Sequence, residues 1–220
     1  RSRHRSTLSI LGFLNKDTAG LIYTIVLCTL CGIGASYVWP IAYTYIQKLI
    51  TYIAADIHDP IRIGLYGVMD RTLSMFSLGN IIRQPFWYTS LGGSLQTISG
   101  TSIIGDVNIW AYAKEIVVNY EGAGRFVTPY YVINIFMIPF SMLGTFLSIN
   151  EKKKRKKLLF GLAGTAFISI VCGNPLPFEL LTLFTAPLLL VLYLIVVFVI
   201  FYALSYFGIY LGSNIVSNST

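Results

Sequence analysis

The sequence predicts an all-α polytopic membrane protein, made of transmembrane helices and two oppositely directed re-entrant hairpins. Three observations carry that reading. Hydrophobic residues are 55% of the 220 and charged residues 11%, with a mean hydropathy of +0.69, more apolar surface than one soluble domain can hide. The basic residues come in blocks beside apolar segments: six of the sixteen fill positions 152–157, and Arg1, Arg3 and Arg5 form a second block. Positions 158–211 hold two apolar runs separated by Gly173, Asn174, Pro175 and Pro177, with one carboxylate, Glu179, just past the break.

The blocks set an orientation. Residues 1–17 and the basic loop 150–157 belong on the cytoplasmic face. Residues 99–127, with only Asp106, Lys114, Glu115, Glu121 and Arg125 charged, belong outside. The net charge of +7 is therefore read as a membrane signature, with no nucleic-acid partner. Residues 18–53 make an outward span that kinks or breaks at Pro40, since proline lacks an N–H and crowds the preceding turn. Residues 128–149 return inward.

Between those spans, residues 61–95 are apolar but carry Arg62, Asp70, Arg71 and Arg83. Both ends must lie on one side, and the segment is too short for two spans of about 20 residues each. A hairpin turning near 78–85 fits, because glycine, asparagine and proline there favour a turn. The second hairpin covers residues 158–187. Its first limb, 158–171, is only about 21 Å long as a helix, short of a hydrocarbon core of about 30 Å. An interrupted backbone survives at that depth only where protein or a wet cavity covers it, so the turn at 173–177 marks a site of the kind transporters use. One kinked pair of buried helices is the competing structure for these residues. Residues 188–211 form the last span, and 18–220 make one membrane domain.

An arginine at a helix centre costs roughly 2.5 to 3.5 kcal/mol on insertion, which makes Arg71 and Glu179 functional candidates. Arg71 can fork two hydrogen bonds to a hydroxylated ligand or a carboxylate. A structural pairing, Asp70 with Arg71 or Arg71 with Glu179, is the alternative. Lys48, Arg62 and Arg83 are expected to snorkel to an interface. Cys28 and Cys31 form a C-x-x-C inside an apolar helix without two further ligands, and Cys172 reads as packing, so neither a metal nor another cofactor is expected. His4 and His58 lie outside the hairpins, and Gly92-Gly93 lacks the Lys-Ser/Thr of a phosphate loop. Asn218-Ser219-Thr220 matches a glycosylation sequon. No convergent acid, base or nucleophile set is present.

Several blocks carry a resemblance: WPIAYTYIQ at 39–47, GLYGVMDR at 64–71, QPFW at 84–87, IIGDVN at 103–108, Ala123-Gly124, and GNPLPFELLTLFTAPLL at 173–189. In order and spacing, from about Leu8 to Gly212, they resemble the glucose-family enzyme IIC, the membrane permease of the bacterial phosphotransferase system. The resemblance implies a multi-pass protein of the bacterial cell membrane. It also implies a homodimer that moves a hexose-type sugar between two hairpins while an enzyme IIB domain or subunit phosphorylates it. Only the later part of that module is matched. The early helices that carry much of the dimer interface have no counterpart. The chain begins at Arg1 rather than Met, so a piece of a longer polypeptide, or half of a split permease, is expected.

Two departures bear on the site. The family signature G-x-T-E-P-x-E-F falls on Gly173 to Leu180, where Leu176 replaces the first glutamate and Glu179 keeps the second. On the first hairpin Arg71 matches, but the family's L-H-H is Leu78, Gly79, Asn80. The expected substrate contacts are accordingly Arg71, Asn80, Asn174 and Glu179. The chain carries no C-x-x-R segment and no phospho-accepting residue of its own. Two functions follow: a sugar-translocating permease for glucose- or N-acetylglucosamine-like substrates with an impaired site, or a non-transporting structural subunit of a membrane complex.

Overall fold

A computed structural model describes residues 16–96, 100–116 and 123–211. The first basic block, His4 and the sequon at Asn218 lie outside them. The chain divides into two compact units, one ending at Leu49 and the other starting at Ile50.

Helix α1 (Lys16–Ala54) provides the first unit and enters the second. It runs through Pro40 as one helix, so of the expected kink or break, the break is absent. A proline removes a single backbone bond, and the 39-residue helix holds on both sides of it. Three of its threonine hydroxyls are satisfied internally: Thr24, Thr29 and Thr44 donate to the carbonyls of Gly20, Ile25 and Pro40. That pattern suits a helix in hydrocarbon, where an unpaired polar group is costly.

The second unit begins with α2 (Pro60–Met75) and α3 (Asn80–Tyr88). Asp59 caps α2 by accepting from the Ile61 N–H at 2.9 Å, with Pro60 in the first turn, where its missing donor is harmless. The helix closes when Leu78 N–H reaches back to Leu73 O and Ser77 N–H to Ser74 O. Ser77, at φ 62°, sits in the left-handed position of this Schellman closure. The turn therefore falls at 76–79, earlier than the expected 78–85, and Pro85 lies inside α3.

A short antiparallel pair follows, β1 (Ser94–Gln96) with β2 (Ser102–Ile104), in the register Leu95 opposite Ile103. The all-α expectation omits it. Helix α4 (Asp106–Ile116) comes next. A single rod, Thr128–Ser148, then comprises α5 (Thr128–Val132), a π-helical turn (Ile133–Met137) and α6 (Ile138–Ser148).

Helix α7 (Lys152–Cys172) begins within the basic run, so positions 152–157 are helical rather than loop. Lysine and arginine are good helix formers, and Glu151 pairs with Lys154 at 2.8 Å across the first turn. Gly173, at φ 61°, ends α7 in the left-handed conformation, and α8 (Leu176–Thr185) and α9 (Pro187–Tyr206) complete the chain's helices among the described residues.

Among the described residues, Gly20–Ala54, Thr128–Ser148 and Pro187–Tyr206 are long and apolar enough to cross a membrane. The protein is mostly helical and membrane-embedded. Its core is set by α2 against α9, where two glycines admit aromatic rings. A Cβ at Gly64 would lie 2.6 Å from the Phe198 ring, and one at Gly67 would lie 2.4 Å from Phe201. Small residues let helices approach where lipid supplies no hydrophobic drive. Tyr66, Phe86 and Phe126 then meet at ring separations of 4.7 to 5.2 Å, holding α2, α3 and the turn before α5 as one block.

Candidate functional site

The turn after α2 and the break after α7 face one cavity of about 710 Å³. Arg71, Asn80, Asn174 and Glu179 all line it, as do Leu176, Ser74 and Arg83.

Behind and along one side of it runs a buried ion-pair chain. Asp70 is wholly buried and accepts from Arg71 through Nη2 at 2.6 Å and Nε at 3.0 Å. Arg71 Nη1 stands 3.5 Å from Glu179 Oε1, and its guanidinium lies 4.8 Å from the centre of the Tyr130 ring. Both structural pairings that the sequence leaves open are therefore present. In a low-dielectric setting two arginines and two carboxylates hold one another, whereas any one alone would carry a large desolvation penalty.

Arg83 belongs to this chain rather than to an interface, which corrects the snorkelling expectation. From α3 it folds back over the turn, placing Nε 2.7 Å from Asp70 Oδ1 and Nη2 2.7 Å from Ser74 Oγ. Asp70 is the physical reason, since a buried carboxylate can accept from both guanidinium groups. Lys48 and Arg62 lie elsewhere: Lys48 over the Tyr45 ring, and Arg62 beside Asp59 at 3.3 Å and over the Tyr52 ring.

Glu179 sits in the first turn of α8 and is wholly buried. Tyr193 on α9 donates to its Oε1 at 2.7 Å, so Oε1 serves both Tyr193 and Arg71. Oε2 is buried and has no hydrogen-bond partner among the described residues. A buried carboxylate oxygen without a donor is costly and calls for a hydrogen-bond partner.

Asn174 is partly committed, because its Oδ1 accepts from the Leu176 N–H at 3.0 Å at the break. Asn80, the first residue of α3, is exposed. Asn134, which sequence reasoning misses, joins the π-helical turn to α7: its Nδ2 donates to Gly173 O at 3.0 Å, and its carbonyl accepts from Ser169 Oγ at 2.9 Å. Single π-turns mark functional positions often enough to be a usable signal, but they have no sequence pattern. Tyr130 and Tyr193 are missed for a related reason, since tyrosine inside an apolar run reads as packing.

Away from the cavity, Asp106 at the start of α4 accepts three consecutive backbone N–H groups, Gly124 at 2.9 Å, Arg125 at 3.1 Å and Phe126 at 2.9 Å. Arg125 in turn donates to Ile57 O at 2.5 Å and faces His58 Nδ1 at 3.2 Å. Burial pushes the Asp106 carboxyl up to about 6, against the pull of those N–H groups and of Arg125. The described residues hold no group of three or more metal-ligating side chains, and Cys28, Cys31 and Cys172 are free.

No family model matches the chain. Over 186 residues it is 28% identical to the PTS system glucoside-specific EIICBA component of Staphylococcus carnosus (strain TM300). The aligned part is 84% of this chain and 26% of that relative, so the chain spans about a quarter of the length of the curated relative it matches. That similarity, over most of this chain, supports a region like the enzyme IIC of the phosphotransferase system.

Proposed function

We propose that the chain is the sugar-translocating membrane part of a phosphoenolpyruvate-dependent phosphotransferase system. Its substrate would be a glucose- or N-acetylglucosamine-like sugar or a glycoside of one. The observation that carries this reading is the buried, partnerless Oε2 of Glu179 on a cavity that two broken helical segments enclose. A sugar hydroxyl is a neutral donor that can be desolvated there at modest cost, and the surrounding amides and guanidinium groups offer the donors that its other oxygens require.

In this reading α2–α3 and α7–α8 are re-entrant hairpins from opposite faces. The basic start of α7 faces the cytoplasm of a bacterial cell, and an enzyme IIB domain or subunit phosphorylates the sugar on that side. A homodimer would form through helices that precede this region. Leu176 removes an acceptor from the cavity wall, and affinity for a free hexose is expected to be weak, because an unmet hydroxyl in a dry site costs roughly 1 to 3 kcal/mol.

A second reading, a non-transporting subunit of a membrane complex, draws support from Arg71, all of whose nitrogens face protein carboxylates. Uptake separates the two. The full-length protein, expressed in cells lacking their own glucose permeases, should accumulate radiolabelled methyl glucoside as its phosphate, and Glu179→Gln should abolish that. Absence of uptake with the protein present in the membrane favours the structural subunit.

A further inference from the structure

We propose that Arg83, rather than Arg71, is the guanidinium that donates to a sugar oxygen in this cavity, and that Gly79 is the residue that makes room for it. The inference rests on the sugar-site reading above and names a specificity-determining residue that the motif comparison does not supply.

The donor inventory separates the two arginines. Arg71 is 2% exposed, its Nε and Nη2 are both taken by Asp70, and its Nη1 is directed at Glu179. A guanidinium has five N–H donors in a fixed plane, and here each nitrogen already faces a carboxylate. Arg83 uses Nε and Nη2 on Asp70 and Ser74, whereas its Nη1 has no partner among the described residues. The side chain is 25% exposed and lines the cavity. Arg71 is thus the structural arginine and Arg83 the one with donors to give. Asp70 itself is fully buried and does not line the cavity, so its part is to position both.

Gly79 makes this posture possible by its size, not by its backbone. Its φ of −56° is open to any residue. A Cβ there, however, would stand 2.3 Å from Ser74 Oγ and 3.4 Å from Arg83 Cζ. Ser74 Oγ would have to turn away, breaking its 2.7 Å bond to Arg83 Nη2, and the new methyl would lie against the guanidinium carbon. A larger side chain at 79 would take the volume that the Arg83 head group occupies. The residue that resembles a lost contact on the first hairpin is therefore the opening through which a new donor reaches the cavity from 13 residues beyond Asp70. Arg83, a quarter exposed, offers hydrogens at the cavity, and Glu179, which also lines it, holds a buried acceptor in Oε2. That pairing fits an uncharged polyhydroxyl ligand, whose oxygens both accept and donate.

The test is isothermal titration of the full-length protein with methyl glucoside, alongside Arg83→Gln, Arg83→Lys and Gly79→Ala, with melting temperatures to report folding. Loss of one charge-assisted hydrogen bond weakens binding roughly 10- to 150-fold. Arg83→Lys keeps the positive charge beside Asp70 but cannot hold Asp70 and Ser74 while presenting a planar donor to the sugar. It should therefore lose affinity about 10- to 150-fold while still folding cooperatively, whereas a purely structural ion pair would lower the melting temperature and leave the affinity of the folded protein unchanged. Gly79→Ala should do the same. If the parent binds and both Arg83→Lys and Arg83→Gln bind as well as it does, this inference is overturned while the sugar-site reading stands. If the parent binds no methyl glucoside, both fall together. Should Arg83→Gln fail to fold, Arg83→Lys and Gly79→Ala decide the matter.

Discussion

Asp70 Oδ1 lies 2.7 Å from Arg83 Nε across the turn that joins α2 to α3, and the same carboxylate holds the adjacent Arg71 at 2.6 Å. One buried anion thereby fixes the geometry of two cations on different helices. The α2–α3 turn is kept closed by charge as much as by its backbone cap, and the cavity wall next to it inherits that rigidity.

Asp70→Ala should accordingly destabilise the protein by about 3 to 5 kcal/mol, the range for removing one partner of a buried pair and leaving its cation uncompensated. Asp70→Asn retains one acceptor and should lose less. Thermal unfolding of the purified protein in detergent measures both. An Asp70→Ala variant that melts with the parent would show that Arg71 finds sufficient compensation in Glu179 alone.

The candidate site was partly legible because charge in an apolar segment is conspicuous. Arg71 and Glu179 stand out in any reading of 61–95 and 158–187, and the Gly-Asn-Pro break marks where the backbone must be covered. Arg83 was not legible as a cavity residue, since nothing in IIRQPFW tells whether a guanidinium runs outward to an interface or back over a turn. Its direction depends on the absence of a side chain at Gly79, a contact made in space. The fold divides in the same way. Apolar length announced the helices at 128–148 and 187–206. The unbroken passage through Pro40, the β1–β2 pair and the π-turn at Asn134 depend on energies of one or two hydrogen bonds, which no local pattern encodes.

Asp106 should give the stability a pH dependence of defined sign. Its folded carboxyl, at about 6, lies above its ordinary value of 3.8, so the folded state holds the proton more tightly. The contribution is complete below about pH 4 and is lost as pH rises through 6, amounting to roughly 3 kcal/mol at 1.36 kcal/mol per unit. Asp106→Asn cannot ionise. Its melting temperature, followed from pH 4 to 7, should lack the decline that the parent shows. Parallel profiles for the two proteins would remove Asp106 from the account.

Orientation yields a separate prediction, from the basic start of α7 and the near-neutral stretch around α4. Single cysteines at Lys154 and Asn108, in a background lacking Cys28, Cys31 and Cys172, should be labelled from opposite faces of sealed vesicles. Cysteines at Lys157 and Pro187 should be labelled from the same face under the proposal that α7 and α8 form a re-entrant hairpin, which returns the chain to the side it left. Labelling of Lys157 and Pro187 from opposite faces would make α7 and α8 one crossing.

Leu176 offers the most direct route to a stronger site. It begins α8 and lines the cavity, so Leu176→Glu would place a carboxylate at a helix N-terminus, where the dipole favours it. Glu179, three residues on, lies on the same face and opposes it by like charge. The balance favours the variant only if a ligand donor or Arg83 meets the new carboxylate, and then a hydrogen bond to a charged acceptor should tighten glucose binding by about 1.5 to 3 kcal/mol. Gly79→His is a different matter. Its side chain would press on Ser74 Oγ and Arg83 Cζ, so adding it to Leu176→Glu should cancel the gain rather than extend it. Titration of glucose and N-acetylglucosamine against the parent, Leu176→Glu and the double variant reads the sequence of affinities. A double variant that binds more tightly than Leu176→Glu would mean that an imidazole at 79 contributes to the site without Arg83, and that the space around Gly79 yields more readily than its packing indicates.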